Sequence, residues 1–280
     1  MQGILFDLDG VLYNSEEPIE GAAEVVRWVQ SKGIAHLYVT NTSSRGRSAL
    51  IEKLMRFGIA ADQEQFMTPC VAAAEWLRMR PQGKTALFVR PKTLEEFVGV
   101  TCVPDGAEAG ARYVVIGDLG DAWDFRTLNR AFRILISDPE SVLVALGMTR
   151  YWHAQDGLQL DVAPFIAALE HATGRKAIVF GKPETSFFNA AAEKLRLPTR
   201  EIVMIGDSIE TDIAAAQQSG MQGILVRTGK FRQADLQGDI VPDAVVDSIR
   251  DLPSWWDAAA QRTYPNLGSA GFARMIKANK

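Results

Sequence analysis

Short apolar runs that stop abruptly at polar residues alternate along this chain with stretches of helical period. GILFD (3–7) has the pattern of a buried strand and ends on Asp7. Ala22, Val25, Val26 and Val29 follow at helical spacing and predict a helix over 18–32, stopped by Gly33. AHLYVT (35–40) predicts a strand ending at Thr40, and Leu50, Leu54 and Phe57 a helix closed by Gly58. The rhythm returns late in the chain. KAIVF (176–180) precedes a helix from Glu184, EIVMIG (201–206) one from Ile209, and GILVR (223–227) a loop. Strand–helix alternation at this spacing implies parallel strands joined by right-handed crossovers. The predicted fold class is α/β, a doubly wound, Rossmann-like parallel sheet whose two halves come from the first and last thirds of the chain.

Between them the texture changes. PQGK (81–84) marks a break, followed by strand patterns at 85–89, 113–116, 142–146 and 158–161 and helical ones at 125–136 and 163–173. About a hundred residues with their own strands and helices suffice for a separate domain. The expected organisation is a core domain over 1–80 and 177–260, an inserted α/β domain over 81–176, and a C-terminal tail over 261–280.

Composition narrows the class. Of 280 residues, 30 are Lys or Arg and 34 Asp or Glu, a formal net charge of −4 that attracts neither nucleic acid nor anionic lipid. Apolar runs are too short to span a bilayer, and an N-terminus reading MQGILFDLDG lacks the basic n-region of a secretory signal. The 2 cysteines, Cys70 and Cys102, cannot form a disulfide framework and read as buried packing thiols. A cytoplasmic protein is expected, with no nucleic-acid or membrane partner; a second copy of the chain is the one macromolecular partner left open.

In an open parallel sheet, ligands bind where the strands end. The first strand ends in Asp7-Leu8-Asp9-Gly10, the second in Thr40-Asn41-Thr42-Ser43; later runs end in Gly181-Lys182-Pro183 and Gly206-Asp207-Ser208, with Asp212 a turn on. Each alone reads as a cap, a turn or a surface lysine. Together they supply carboxylates, a hydroxyl and an ammonium, suited to a hard cation and a phosphate. Several carboxylates in one crevice repel unless a divalent cation binds among them. The P-loop, G-x-G-x-x-G and G-x-S-x-G patterns are absent, and His36, His153 and His171 are scattered.

DLDGV (7–11), VTNTS (39–43), GKP (181–183) and GDSIETD (206–212), in this order, resemble the four motifs of the haloacid dehalogenase superfamily phosphatases. The resemblance is to the branch whose large α/β cap is inserted between the second and third motifs. It implies a Mg²⁺-dependent phosphatase of small phosphorylated metabolites, with pyrophosphate and P–N phosphoamino acids in its substrate range. Asp7 would be the nucleophile that becomes an aspartyl-phosphate, and Asp9 the general acid and base. Asp7, Asp207 and the Asp9 carbonyl would hold Mg²⁺, and Thr40, Asn41 and Lys182 the phosphate. Asp212 is expected to orient Lys182 or a metal-bound water rather than to ligate. A phosphotransferase or mutase on the same fold, or a phospho-Asp signalling module, are the alternatives. Specificity is expected on the insertion, with Gln159 and Asp161 as candidate residues. Tyr151 and Trp152 read as insertion core, Arg45 and Arg47 as exposed beside a helix start, and Trp255 and Trp256 as anchors of the last helix.

Overall fold

A computed structural model describes residues 1–154 and 157–263. In chain order the elements are β1 (Gly3–Asp7), β2 (Tyr13–Asn14), β3 (Glu17–Pro18), α1 (Ala22–Ser31), β4 (Ala35–Val39), α2 (Arg47–Arg56), β5 (Phe66–Met67) and α3 (Pro69–Arg78). There follow β6 (Thr85–Phe88), β7 (Tyr113–Ile116), α4 (Phe125–Ser137), β8 (Val142–Ala145), β9 (Tyr151–Ala154), β10 (Gly157–Leu160), α5 (Val162–Thr173) and β11 (Ile178–Val179). The last are α6 (Thr185–Leu195), β12 (Ile202–Gly206), α7 (Ala215–Gln218), β13 (Gln222–Val226), β14 (Ala244–Val246) and α8 (Leu252–Thr263).

The chain divides into two compact units, one of 1–40, 51–66 and 188–280, the other of 41–50 and 67–187. The first is built on a six-stranded sheet in the order β14-β13-β12-β1-β4-β5, in which the pairings of β14, β13, β12, β1 and β4 are parallel. β1 and β12 are buried throughout, as expected of central strands covered on both faces. The expected helix over 18–32 begins only at Ala22, because residues 13–18 fold into the small antiparallel hairpin of β2 and β3. Trp256 packs edge-on against Trp28 and is 4% exposed, so α8 is pinned to α1. The tail expected over 261–280 starts inside α8, and residues 264–280 lie outside the described ones.

The second unit has its own parallel sheet in the order β11-β8-β7-β6. Here one expectation is corrected. KAIVF was placed with the first sheet; instead Ile178 and Val179 pair with Val144 and Ala145 of β8. An apolar run serves either sheet equally well, and pairing is set by long-range register that no local pattern reports. Ala131, Ile134 and Leu135 of α4 and Ile166 and Leu169 of α5 close the core against this sheet. Tyr151 and Trp152 are not core: they lie on the separate β9–β10 hairpin and are 52% and 40% exposed. Cys70 is buried as expected, whereas Cys102 is exposed, in an isolated bridge opposite Thr85. Arg47 is not a free surface residue either, since its guanidinium pairs with the buried Glu96 at 2.7 Å. Among the described residues no helix is long and apolar enough to cross a membrane.

Arg175 ties this unit together. Its guanidinium donates to the carbonyls of Leu135, Asp138 and Pro139 at 3.0, 3.0 and 2.9 Å, and to that of Ser141. It thereby caps the C-terminal end of α4 and fixes the entry to β8. A cation there also opposes the negative end of the helix dipole. Arg175→Met is expected to lower unfolding stability by about 2–3 kcal/mol, the scale of lost charge-assisted hydrogen bonds. Arg175→Lys should recover less than half of it, for an ammonium cannot reach as many carbonyls in one plane. Urea denaturation of the three proteins measures both.

Candidate active site

Strand register assembles the acidic part of the site. Asp7 is level with Val39 of β4, so Thr40 stands one residue beyond it. Phe6 is level with Ile205 of β12, which places Gly206 beside Asp7 and Asp207 one residue further. Three side chains from three strand ends thus reach the same carboxyl edge, all buried: Asp7 6%, Thr40 8% and Asp207 1% exposed.

Asp212 joins them through an irregular helix start. After Ser208 the chain makes a π-helical turn over Ile209–Ala214, with Ile213 N–H donating to the Ser208 carbonyl at 3.2 Å. Such wide turns concentrate at functional sites. The turn folds Asp212 back so that its carboxylate accepts from Ser208 N–H at 3.1 Å and lies over Gly206, where a Cβ would coincide with it. One carboxylate oxygen each from Asp7, Asp207 and Asp212 lies within 4.8 Å of the others.

Asp207 is the most constrained of the three. Gly10, at φ +88°, and Gly229, at φ +66°, flank its carboxylate, and a Cβ on either would occupy the same space. The Gly10 carbonyl in turn accepts from the Thr228 hydroxyl, which binds the 227–231 loop to the turn after β1. Asp207 Oδ2 accepts from Lys230 N–H at 2.7 Å, while Oδ1 is buried with no hydrogen-bond partner among the described residues. Burial, with the charges of Asp7 and Asp212 adding to it and Lys230 opposing, pushes the Asp207 carboxyl up to about 7. A bare oxygen in a three-carboxylate crevice is what a divalent cation would satisfy, so these residues fit a hard cation.

Asp9 points elsewhere. Its side chain is exposed and accepts from Ser15 N–H in the β2–β3 hairpin at 3.0 Å, so a hairpin absent from the sequence reading holds it.

The second unit holds its own group of charged and polar residues. Lys182 is 4% exposed and follows β11 by way of Gly181. The Asn41 amide clasps its backbone from both sides: Oδ1 accepts from Lys182 N–H and Nδ2 donates to Lys182 O, each at 2.7 Å. Gly181, at φ +120°, leaves room for that clasp, a Cβ there standing 2.9 Å from Asn41 Oδ1. Asn41 therefore spends its side chain on placing Lys182. Ser43 is buried, its hydroxyl accepting from Asp118 N–H at 3.3 Å. Asp118 pairs with Arg90 at 3.0 Å. Asp161 is the N-cap of α5, accepting from Val162 N–H at 2.8 Å, and burial pushes it up to about 6, Asp118 reinforcing and Arg90 opposing. Gln159 is half-buried on β10, the other residue expected to set specificity. Asp156, in the same stretch, lies outside the described residues.

The sequence reading names Gly10 and Gly206 within motifs but gives them no role, and it assigns none to Gly229 or to the pair Arg90–Asp118. A local signal existed for Gly10 and Gly206, each next to an Asp of a strand-end motif; none existed for the others.

Comparison with known proteins agrees with this chemistry. The family profile described as haloacid dehalogenase-like hydrolase matches residues 4–100, and a related HAD-hydrolase-like profile matches 179–252. A phospholysine phosphohistidine inorganic pyrophosphate phosphatase of Xenopus laevis is 34% identical over 255 residues, covering 89% of this chain and 92% of the relative. The haloacid dehalogenase-like hydrolase domain-containing protein 2 of Mus musculus is 35% identical over 235 residues, covering 84% and 87%. Among solved structures, a p-nitrophenyl phosphatase from Archaeoglobus fulgidus superposes with a TM-score of 0.83 at 27% identity, covering 91% of this chain and 98% of that one.

The raised Asp207 carboxyl makes stability depend on pH in the metal-free protein. The fold holds a proton that the unfolded chain, with an ordinary carboxyl near pH 4, gives up. This group's contribution therefore falls as pH rises from about 4 to about 7 and is flat above. In chelator, Asp207→Asn is expected to raise Tm relative to the parent at pH 7.5 and to leave a smaller difference at pH 5. Thermal melts at the two pH values check this.

Proposed function

The chain belongs to the haloacid dehalogenase-like hydrolases as a phosphatase, and within that family we propose that it is Mg²⁺-dependent and works through an aspartyl-phosphate on Asp7. The observation that carries this reading is the buried Asp7–Asp207–Asp212 cluster with one Asp207 oxygen unpartnered among the described residues. Asp7 and Asp207, with the Asp9 carbonyl, would hold the cation, and the clustering of Asp212 gives it a place beside them. When bound, Mg²⁺ would neutralise charge on the phosphate and lower the repulsion met by an anionic nucleophile.

The chain's own groups account for the remaining steps. The Asp7 carboxylate attacks phosphorus as the bond to the leaving group breaks, giving an acyl phosphate. Asp9, held outside the cluster by Ser15 N–H, delivers a proton to the departing oxygen or nitrogen. The resulting Asp9 carboxylate then takes a proton from water as that water attacks the phosphorus, which frees Asp7 and phosphate. Lys182 and the Thr40 hydroxyl would hold the non-bridging oxygens. With the Asn41 amide committed to Lys182, the share of Asn41 in phosphate binding would come through its backbone.

Small phosphorylated metabolites are the proposed substrates. Pyrophosphate and P–N phosphoamino acids are included because a relative covering most of this chain carries them in its name. A panel of phosphate esters, pyrophosphate and phosphoamino acids ranked by kcat/KM tests this range.

Asp7→Asn is expected to abolish turnover on every substrate, and chelator to do the same to the parent. Asp9→Asn should cost about 10²–10⁴-fold on alkyl phosphates and P–N substrates. The loss should be much smaller on an aryl phosphate, whose leaving group departs without a proton. Retained activity in Asp7→Asn, or equal losses for Asp9→Asn on both leaving groups, would contradict the assignment.

A further inference from the structure

The group that holds Asp9 belongs to a very small element. β2 and β3 are two residues each, with Tyr13 opposite Pro18 and Asn14 opposite Glu17, and their sheet has no third strand among the described residues. A two-stranded hairpin of that size does not keep its shape in water by its own ladder. Its base is tied to the turn after β1: Gly10 N–H donates to the Tyr13 carbonyl at 2.7 Å, and Ile19 N–H to that of Leu12 at 3.0 Å. Its tip is strained. Ser15 is the first residue of the two-residue loop and adopts φ +50°, a conformation that Gly or Asn takes more readily. Ser15 N–H is the donor to Asp9 Oδ1, and among the described residues the Asp9 side chain accepts no other hydrogen bond.

Support comes from the last turn of α2. Lys53 is 5% exposed, and its ammonium stands 4.1 Å from the centre of the Tyr13 ring and 3.2 Å from Glu16 Oε1. The other Glu16 oxygen pairs with Arg56 at 3.3 Å, and Phe57 packs against the Tyr13 ring with centres 5.6 Å apart. One ammonium thus grips residues 13 and 16, on either side of the strained Ser15. Burying a lysine here needs a reason. Desolvating an ammonium is costly, and its carboxylate partner is 61% exposed, so the pair returns little stability. A methionine of similar length would fill the space beside Tyr13 without that cost. It would lack the two-point grip, in which the cation binds the ring face and the Glu16 oxygen together.

We propose that Lys53 is a positioning residue for proton transfer by Asp9, acting through Tyr13 and Glu16 to hold the Ser15 loop in place. The inference rests on the reading of Asp9 as the general acid. Its action is indirect: with the ammonium gone, the loop relaxes from the strained Ser15 conformation and the N–H that fixes the Asp9 carboxyl moves with it. Asp9, exposed and held by that single donor, then meets the leaving group in the right geometry less often. The steps that do not need its proton are left as they were.

The test measures kcat/KM on an alkyl phosphate and on p-nitrophenyl phosphate, since only the alkyl leaving group needs a proton as it departs. Lys53→Met is expected to cost about ten- to a hundredfold on the alkyl ester, the scale of a misplaced reacting group, and less than about threefold on the aryl ester. Added to Asp9→Asn, the same substitution should cost less than about a further twofold on the alkyl ester, because the group it positions is already gone. Lys53→Arg keeps a cation for both Tyr13 and Glu16 and should restore most of the alkyl-to-aryl ratio. Glu16→Gln, at the exposed hairpin tip, should lower that ratio by about two- to fivefold, the scale of a half-exposed ion pair, and carries the test alone where Lys53→Met does not fold. Equal losses of Lys53→Met on both esters, losses that multiply in the double variant, or an unchanged ratio in Glu16→Gln overturn the inference and leave Lys53 to packing. Equal losses of Asp9→Asn itself on both esters remove the reading of Asp9, and this inference with it.

Discussion

Placing three carboxylates in a space where an oxygen of each lies within 4.8 Å of the others is the constraint on which the active site depends. Like charges at that separation in a buried crevice repel strongly unless a cation lies among them. The surrounding chain is arranged to hold them there. Gly10 and Gly229 clear space for Asp207, Gly206 clears space for Asp212, and the π-helical turn delivers Asp212 to the gap. Each feature is poor on local grounds: two glycines with positive φ, a rare helix type, a buried oxygen with no hydrogen-bond partner among the described residues. Their coincidence at one strand edge marks a site whose stability was traded for charge density.

Asp9 shows the complementary arrangement. Only Leu8 separates it from the nucleophile, yet Asp7 ends β1 in a buried position while Asp9, beyond the strand, is exposed. The small hairpin after β1 then fixes it through a single backbone N–H. A proton carrier has to reach both the leaving group and water, so exposure suits Asp9 as burial suits the cation-binding carboxylates. Lys182 is treated differently again: its backbone is clasped by Asn41 and the residue is buried.

Much of this was legible in the sequence because each functional residue ends an apolar run. Asp7, Thr40 and Asp207 sit where strand patterns stop, and parallel topology then requires them to share an edge. The family resemblance needed little more than these residues and Lys182 in order. The parts that were not legible depend on pairings between distant segments. KAIVF has the composition of a central strand for either sheet, and only its register with Val144 and Ala145 decides. Tyr151 and Trp152 look like core by composition, but an isolated hairpin leaves them exposed. Asn41 carries no sign that its amide is used by a lysine far along the chain. Arg90 and Asp118 stand two residues beyond β6 and β7, but no motif surrounds them.

The central claim is that phosphate passes through Asp7 on its way to water. The most direct measurement is the stereochemical course of hydrolysis, with a substrate made chiral at phosphorus by oxygen isotopes and the reaction run in isotopically distinct water. Two successive in-line displacements, one by Asp7 and one by water, predict net retention of configuration. Net inversion would mean a single displacement by water and would contradict the account.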